Sequence, residues 1–319
     1  MLHDLPHWSV RHNYFHHSNP RSKDRAKNLY EKVHVRPKIN EAWNVIKNQD
    51  SSEDAREAAR SVIATLKSGT SANMQGGRTA QTYCDMHLIP DEFGTTLSIP
   101  EATEMAVKEL REYEPMGSSP DELELDHCKR DRYCEELPLV IENAILGLKE
   151  AMGKDNRIIG EIELLDTLPG NAVPHCTLPD YGRRGDLKTK WSKYSPKNKH
   201  GWTTNYLPKS LSAVHWDMNN VFQCAGFWAL NGHQPPFLVY ANASDYRVFT
   251  PENAPELRDD FLQDVVNKIS SHHKTTENIL RAAQDKEELL GLVSPNWHEL
   301  YWKQPQAYLD EAKKLWGVH

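Results

Sequence analysis

Apolar residues recur every three or four positions through much of the first half of the chain, the spacing that gives a helix one buried stripe. Helical segments are predicted at about 40–48 and 52–68, the second carrying Ala55, Ala58, Ala59, Val62, Ile63 and Leu66 behind Ser51 and Ser52 as caps. After a break at Gly69, Met74 to Asp85 predicts a helix opened by Gly76 and Gly77. Ser98 followed three residues later by Glu101 is the start signal of another helix, because each side chain can satisfy a backbone N–H of the first turn. Asp121 to Gly153 predicts a long helix, acidic in its first half and amphipathic through Leu139, Ile141, Ala144, Ile145 and Leu148.

Beyond residue 156 the period changes. Residues 157–166 (RIIGEIELLD) are short and rich in branched apolar side chains and predict a strand, with Glu161 and Glu163 on one face and Ile162 and Leu164 on the other. Leu168 to Asn171 is its turn, 180–185 a loop, and 184–191 a second strand that pairs beside the first. Residues 193–200 read as a solvated loop and 214–230 as a helix with Met218, Val221, Phe222, Ala225 and Ala229 on one stripe; 236–249 reads as one or two strands, and the chain from Pro255 as helical. Residues 1–38 mix aromatics, histidines and bases without a period, as an arm that contacts nucleic acid or a segment folded over the core. The order predicts an α/β fold whose mixed central sheet is flanked by helices. Residues 1–70 form an N-terminal arm and helices packing on the core, 71–250 the core, and 251–319 a helical C-terminal extension.

At 319 residues the chain can bury a sizeable core. No apolar run approaches the roughly 18 to 20 residues of a membrane span, and five dispersed cysteines suit free thiols in a reducing compartment, so a cytoplasmic protein with no membrane partner is expected. The net charge of -7 argues against a protein that coats nucleic acid non-specifically, but not against a local basic channel. Seven lysines and arginines lie between Arg183 and Lys199 against the single acid Asp186. Arg183, Arg184, Lys190, Lys193, Lys197 and Lys199 are therefore candidates for backbone phosphates, with Trp191, Tyr194 and Trp202 for base stacking; a solvated loop is the alternative. The histidine pairs His16-His17 and His272-His273 sit in polar surroundings and read as surface.

In the strand around Arg184 to Trp191, alternation puts Asp186 and Lys188 on one face. A carboxylate can hold a hard divalent cation, and a neighbouring ammonium can position water or offset charge on a phosphate. The pair thus points to metal-assisted phosphodiester hydrolysis, with an edge-strand ion pair as the competing reading. If register permits, Glu163 converges with Asp186 on one cation. Asp180 is a rival for that place, set second because only five residues separate it from Asp186.

Gly160-Glu161-Ile162-Glu163, then Asp186-Leu187-Lys188-Thr189, then Gln223-Cys224-Ala225-Gly226-Phe227 resemble, in order and spacing, the motifs of the PD-(D/E)xK nuclease superfamily. Within it the chain is most similar to RecB-like and phage-type exonucleases, a group that includes the mitochondrial genome maintenance exonucleases. The resemblance covers about Met74 to Phe249. It implies a restriction-endonuclease-like core and an Mg²⁺- or Mn²⁺-dependent DNA exonuclease of phage or mobile-element recombination. It also implies DNA as partner, a homo-oligomer or phage recombination partner staying open. Glu163, Asp186 and the Leu187 carbonyl would hold the metal, Lys188 would orient the attacking water, and Gln223 would fix water or phosphate. Where the family often has a histidine ligand this chain has Gln81, with Asp85 one turn later. Phe227 stands in place of the family's tyrosine. A nuclease fold that only binds DNA, or a structural phage protein, is the alternative.

Overall fold

The computed structural model describes residues 8–9, 30, 34–48, 50–66, 71–115, 120–153, 161–195, 197–198, 200–202, 204–206, 218–293, 295, 297 and 306–317. In chain order the elements are β1 (Trp8–Ser9), α1 (Arg36–Lys47), α2 (Glu53–Leu66), α3 (Ala72–Leu88), α4 (Ile99–Glu112), α5 (Pro120–Met152), β2 (Leu164–Asp166), β3 (His175–Thr177), β4 (Gly185–Thr189), β5 (Lys193–Tyr194), β6 (Thr204–Tyr206), α6 (Met218–Leu230), β7 (Phe237–Ala241), β8 (Tyr246–Phe249), α7 (Asp259–Ala282), α8 (Lys286–Gly291) and α9 (Gln306–Leu315). The class is α/β, as the change of period predicts, with a small mixed sheet between helices. No described helix is long and apolar enough to cross a membrane.

The central sheet runs β4-β7-β8, with β4 parallel and β8 antiparallel to β7. Strand β7 (FLVYA) is buried at every position, as a strand covered on both faces must be. Its alternate side chains enter two cores. Phe237, Val239 and Ala241 pack with α3, α4 and α5, while Leu238 and Tyr240 pack with α6 and α7. Asp186 is in register with Leu238 and Lys188 with Tyr240, so both charged side chains of β4 lie on the α6 face.

Close approach sets the sheet against its helices. A Cβ on Gly76 would stand 3.0 Å from the Trp191 indole, so glycine lets α3 seat that ring closely, and Tyr133 of α5 stacks on it at 4.6 Å. Gly76 and Gly77 lie inside α3 and not at its start, where Ser71 caps the helix and Asp126 accepts the Ala72 N–H at 2.9 Å. The Ser98–Glu101 capping box forms as predicted. Buried Glu136 accepts the Ser192 N–H at 3.1 Å and pins the chain leaving β4 to α5.

Several boundaries differ from the sequence expectation. Residues 161–163 are not strand, and the short β2 that follows pairs with β3, which in turn pairs with β1, in a separate sheet. The strand 185–189 pairs with 237–241 instead of with the 157–166 segment. Within the predicted loop 193–200, β5 pairs with β6. Leu262, Val265, Val266 and Ile269 of the helical α7 pack into the core on the α6 face. Tyr30 and Val35 near the N-terminus pack with Tyr308 and Ala312 of α9, joining the two ends of the chain.

The tightest of these approaches gives a stability prediction. At Gly185 a Cβ would enter the Phe237 ring. Gly185→Ala should cost about 2 to 3 kcal/mol by overpacking, read as a lower denaturant midpoint with unchanged slope. An unchanged midpoint would show that β4 and β7 approach less closely.

Candidate active site

The chain between β3 and β4 turns back within five residues. Tyr181 and Gly185 form an antiparallel bridge, the Gly185 N–H donating to the Tyr181 carbonyl at 2.8 Å and the Asp180 N–H to the Gly185 carbonyl at 2.9 Å. Two successive left-handed residues, Gly182 (φ 56°) and Arg183 (φ 64°), make the reversal this tight. Asp180 and Asp186 consequently face each other across the turn. So short a loop therefore does bring Asp180 and Asp186 to one place, contrary to the assumption on which Glu163 ranks ahead of Asp180.

Asp180 and Asp186 are both buried, at 8% and 1% exposure. Burial first, then the charge of Asp186 and a hydrogen bond with it, push the Asp180 carboxyl well above the ordinary range, while Lys188 and the Leu187 N–H act in the other direction. The Leu187 N–H donates to Asp180 Oδ2 at 3.2 Å. Backbone alternation explains why it is available. The Arg184 carbonyl accepts from Phe237 and the Lys190 N–H donates to Ala241, so even-numbered residues of β4 point their backbone groups at β7. The N–H and carbonyl of Leu187 therefore face the other edge, where Asp180 lies.

The Lys188 ammonium makes an ion pair with Asp186 and donates to Gln223 Oε1 of α6 at 3.0 Å. The sequence-predicted residues Asp186, Leu187, Lys188 and Gln223 thus come together. They line a cleft of about 780 Å³, whose walls also carry Asp180, Glu161, Glu163, Gln81, Asp85, Arg78, Lys190 and Asn220. Glu163 is exposed on that wall beside Cys176, whose thiol is pushed up to about 11 by burial and by Glu163. Gln81 and Asp85 of α3 face the same space. Asp85 is pushed up to about 6 by burial, with Glu161 adding to the rise and the Tyr181 hydroxyl opposing it.

A hard divalent cation suits this donor set. Among the described residues no three His, Cys, Asp or Glu side chains converge as a metal shell. Magnesium commonly needs no such shell, taking one or two carboxylates and filling its other positions with water and phosphate. Asp180 and Asp186 supply two buried carboxylates that a cation would neutralise, and the Leu187 carbonyl opens on the same edge. All five cysteines are free thiols.

The basic segment divides. Lys197 is held by Asp121 and Glu124 of α5, each at 2.7 Å, so its charge is engaged away from the cleft. Arg184 donates to the Pro235 carbonyl at 3.1 Å and lies over the Phe237 ring. Arg183 is exposed in the turn, Lys193 is exposed on β5, and Lys199 lies outside the described residues. Trp191 is buried between Gly76 and Tyr133 and offers no face to a base, Tyr194 donates its hydroxyl to the Cys128 carbonyl, and Trp202 is half-buried. Lys190 lines the cleft, its ammonium 4.4 Å from the Tyr240 ring centroid.

His273, expected at the surface, is buried and stacks on buried His175 of β3 with ring centroids 4.4 Å apart. The spacing Val266, Ile269, His273, Thr276, Leu280 places it on the inner stripe of α7, a signal present in the sequence. His16 and His17 lie outside the described residues. Asn220, three residues before Gln223, is missed by the sequence reading; it also reaches the cleft and donates to the Tyr240 hydroxyl at 2.6 Å, and its helical spacing from Gln223 is the signal that could have found it.

No family model, curated protein or solved structure matches the chain.

The raised Asp85 carboxyl sets a pH-dependent stability. With a folded pKa above the unfolded value, the native state keeps the proton longer, so stability is lost as pH rises from about 4 to about 6. Asp85→Asn should therefore gain stability over the parent near neutral pH by up to about 2 to 3 kcal/mol, and the gain should vanish near pH 4. Urea titrations in EDTA at both pH values measure this; an equal difference at the two values would remove the shift.

Proposed function

We propose that the chain is a divalent-cation-dependent nuclease that hydrolyses phosphodiester bonds in DNA, built on a restriction-endonuclease-like core. The observation that carries the proposal is the meeting of Asp180, Asp186, Lys188 and Gln223 from three segments in one cleft. Two acids, with a lysine two residues after the second, match the motif from which the superfamily takes its name. The first acid is Asp180, preceded by Pro179, instead of Glu163.

Asp180, Asp186 and the Leu187 carbonyl would hold Mg²⁺ or Mn²⁺. When bound, such a cation neutralises phosphate charge and lowers the pKa of water. Lys188, aimed by Asp186 and Gln223, orients the attacking water and offsets the charge that grows on the phosphate oxygens. With its carbonyl oxygen engaged by Lys188, Gln223 presents its amide nitrogen as a donor to water or phosphate. Glu163 on the outer wall has a supporting electrostatic part.

The direct Lys188–Asp186 ion pair favours a second reading, in which the cleft is an inert charged site that only binds DNA. Cleavage of end-labelled linear and closed circular DNA with Mg²⁺, Mn²⁺ or EDTA, beside an RNA panel, separates the two. The nuclease account expects cation-dependent loss of substrate, and loss of linear but not circular DNA for an exonuclease. Asp186→Asn should abolish cleavage with the fold intact. Lys188→Ala should slow single-turnover cleavage by about 10² to 10³, the scale of one lost transition-state donor. Parent-like cleavage by Lys188→Ala would return the pair to an edge-strand ion pair.

A further inference from the structure

We infer that Lys190, from the α6 side of β4, and Arg78, from its α3 side, flank one end of the cleft as a phosphate subsite, so that a polynucleotide strand lies from the carboxylate pair toward these two cations and not beyond the pair in the other direction. The inference rests on the nucleic-acid reading above and adds the class of substrate, a strand end held from one side.

Three contacts give the direction of α3 along β4. Gly76 approaches Trp191, Gly77 approaches Thr189, and Asp85 lies close enough to Tyr181 to feel its hydroxyl, so the helix runs antiparallel to the strand. Arg78, next to Gly77, therefore belongs to the Thr189 end of the cleft, which Lys190 also lines. Lys190 shares its strand face with Asp186 and Lys188 and stands about 7 Å beyond Lys188, within reach of a neighbouring phosphate instead of the scissile one. Its ammonium is bedded on the Tyr240 ring, and Asn220 fixes the hydroxyl of that ring. A cation held this way loses little freedom on meeting phosphate.

Carboxylates gather toward the Tyr181 end, while Arg36 also lines the cleft. Asp85 lies there against Tyr181 and feels the charge of Glu161, and Glu163 stands beside Cys176 on the same wall. A polyanion crossing the whole cleft passes these carboxylates, whereas one that ends at Asp180 and Asp186 does not.

The test is fluorescence anisotropy of a labelled single-stranded oligothymidylate in EDTA across a salt series, for the parent, Lys190→Gln, Arg78→Gln, Lys190→Arg and Lys197→Gln. Each of the first two variants should weaken binding roughly 5- to 10-fold and flatten the log–log salt slope by about 0.7, the share of one single-strand phosphate contact. Lys190→Arg should restore the slope, and Lys197→Gln, with its charge engaged on α5, should match the parent. Unchanged slopes in both glutamine variants, an equal loss in Lys197→Gln, a Lys190→Arg as weak as Lys190→Gln, or a parent that does not bind would each overturn the subsite. Because the readout needs no cleavage, the two readings fail separately. Binding that depends on Lys190 and Arg78 without hydrolysis sinks the nuclease, while hydrolysis indifferent to both residues sinks the subsite.

Discussion

Two carboxylates cannot stay charged side by side inside a protein unless something positive or a proton joins them, and Asp180 and Asp186 are held in that position. The surroundings answer this demand. The Leu187 N–H donates to Asp180, the Lys188 ammonium pairs with Asp186, and Gln223 reaches from α6 to hold that ammonium. The covering of β7 on both faces, the Trp191 seat on Gly76 and the pinning of Ser192 by Glu136 hold β4 in place beneath the pair. Such a like-charge pair is not itself a source of stability, since a buried charge group is seldom a net gain over apolar packing.

The helices give the cleft its electrical character. Helix α3 carries Arg78 near the Thr189 end and Asp85 at the Tyr181 end, and antiparallel packing on β4 turns that sequence order into a gradient along the cleft. On the opposite face, Asn220 and Gln223 sit one helical turn apart on α6 and meet Tyr240 and Lys188 of adjacent strands. With a net charge of -7, the proposed polyanion would be met through this local arrangement and not through the protein's average charge.

Much of this was legible in the sequence because it follows from period and spacing. Alternation alone places Asp186 and Lys188 on one face, and the serine and glutamate at 98 and 101 announce a helix start, whereas Gln223 comes from the order of the motifs in the family resemblance. The tight turn was not legible, because its geometry depends on Arg183 accepting a left-handed conformation that non-glycine residues seldom adopt, and so Asp180 was set behind Glu163. Strand pairing was not legible either. RIIGEIELLD alternates like a strand, but hydrogen bonding joins its last residues to β3 and leaves β4 to β7, a choice made by tertiary packing. The basic run from 183 to 199 looks uniform in composition, whereas the fold sets Lys197 against Asp121 and Glu124 and Lys190 over the Tyr240 ring in the cleft.

The central claim is that Asp180 and Asp186, and not Glu163, hold one divalent cation between them. Calorimetric titration of Mn²⁺ into the parent, Asp180→Asn and Glu163→Gln tests it most directly, with circular dichroism confirming that each variant is folded. The account predicts that the parent binds the ion, that Asp180→Asn loses binding by at least tenfold, and that Glu163→Gln changes it by no more than a few-fold. Parent-like Mn²⁺ binding by folded Asp180→Asn, or its loss in Glu163→Gln alone, would contradict the account.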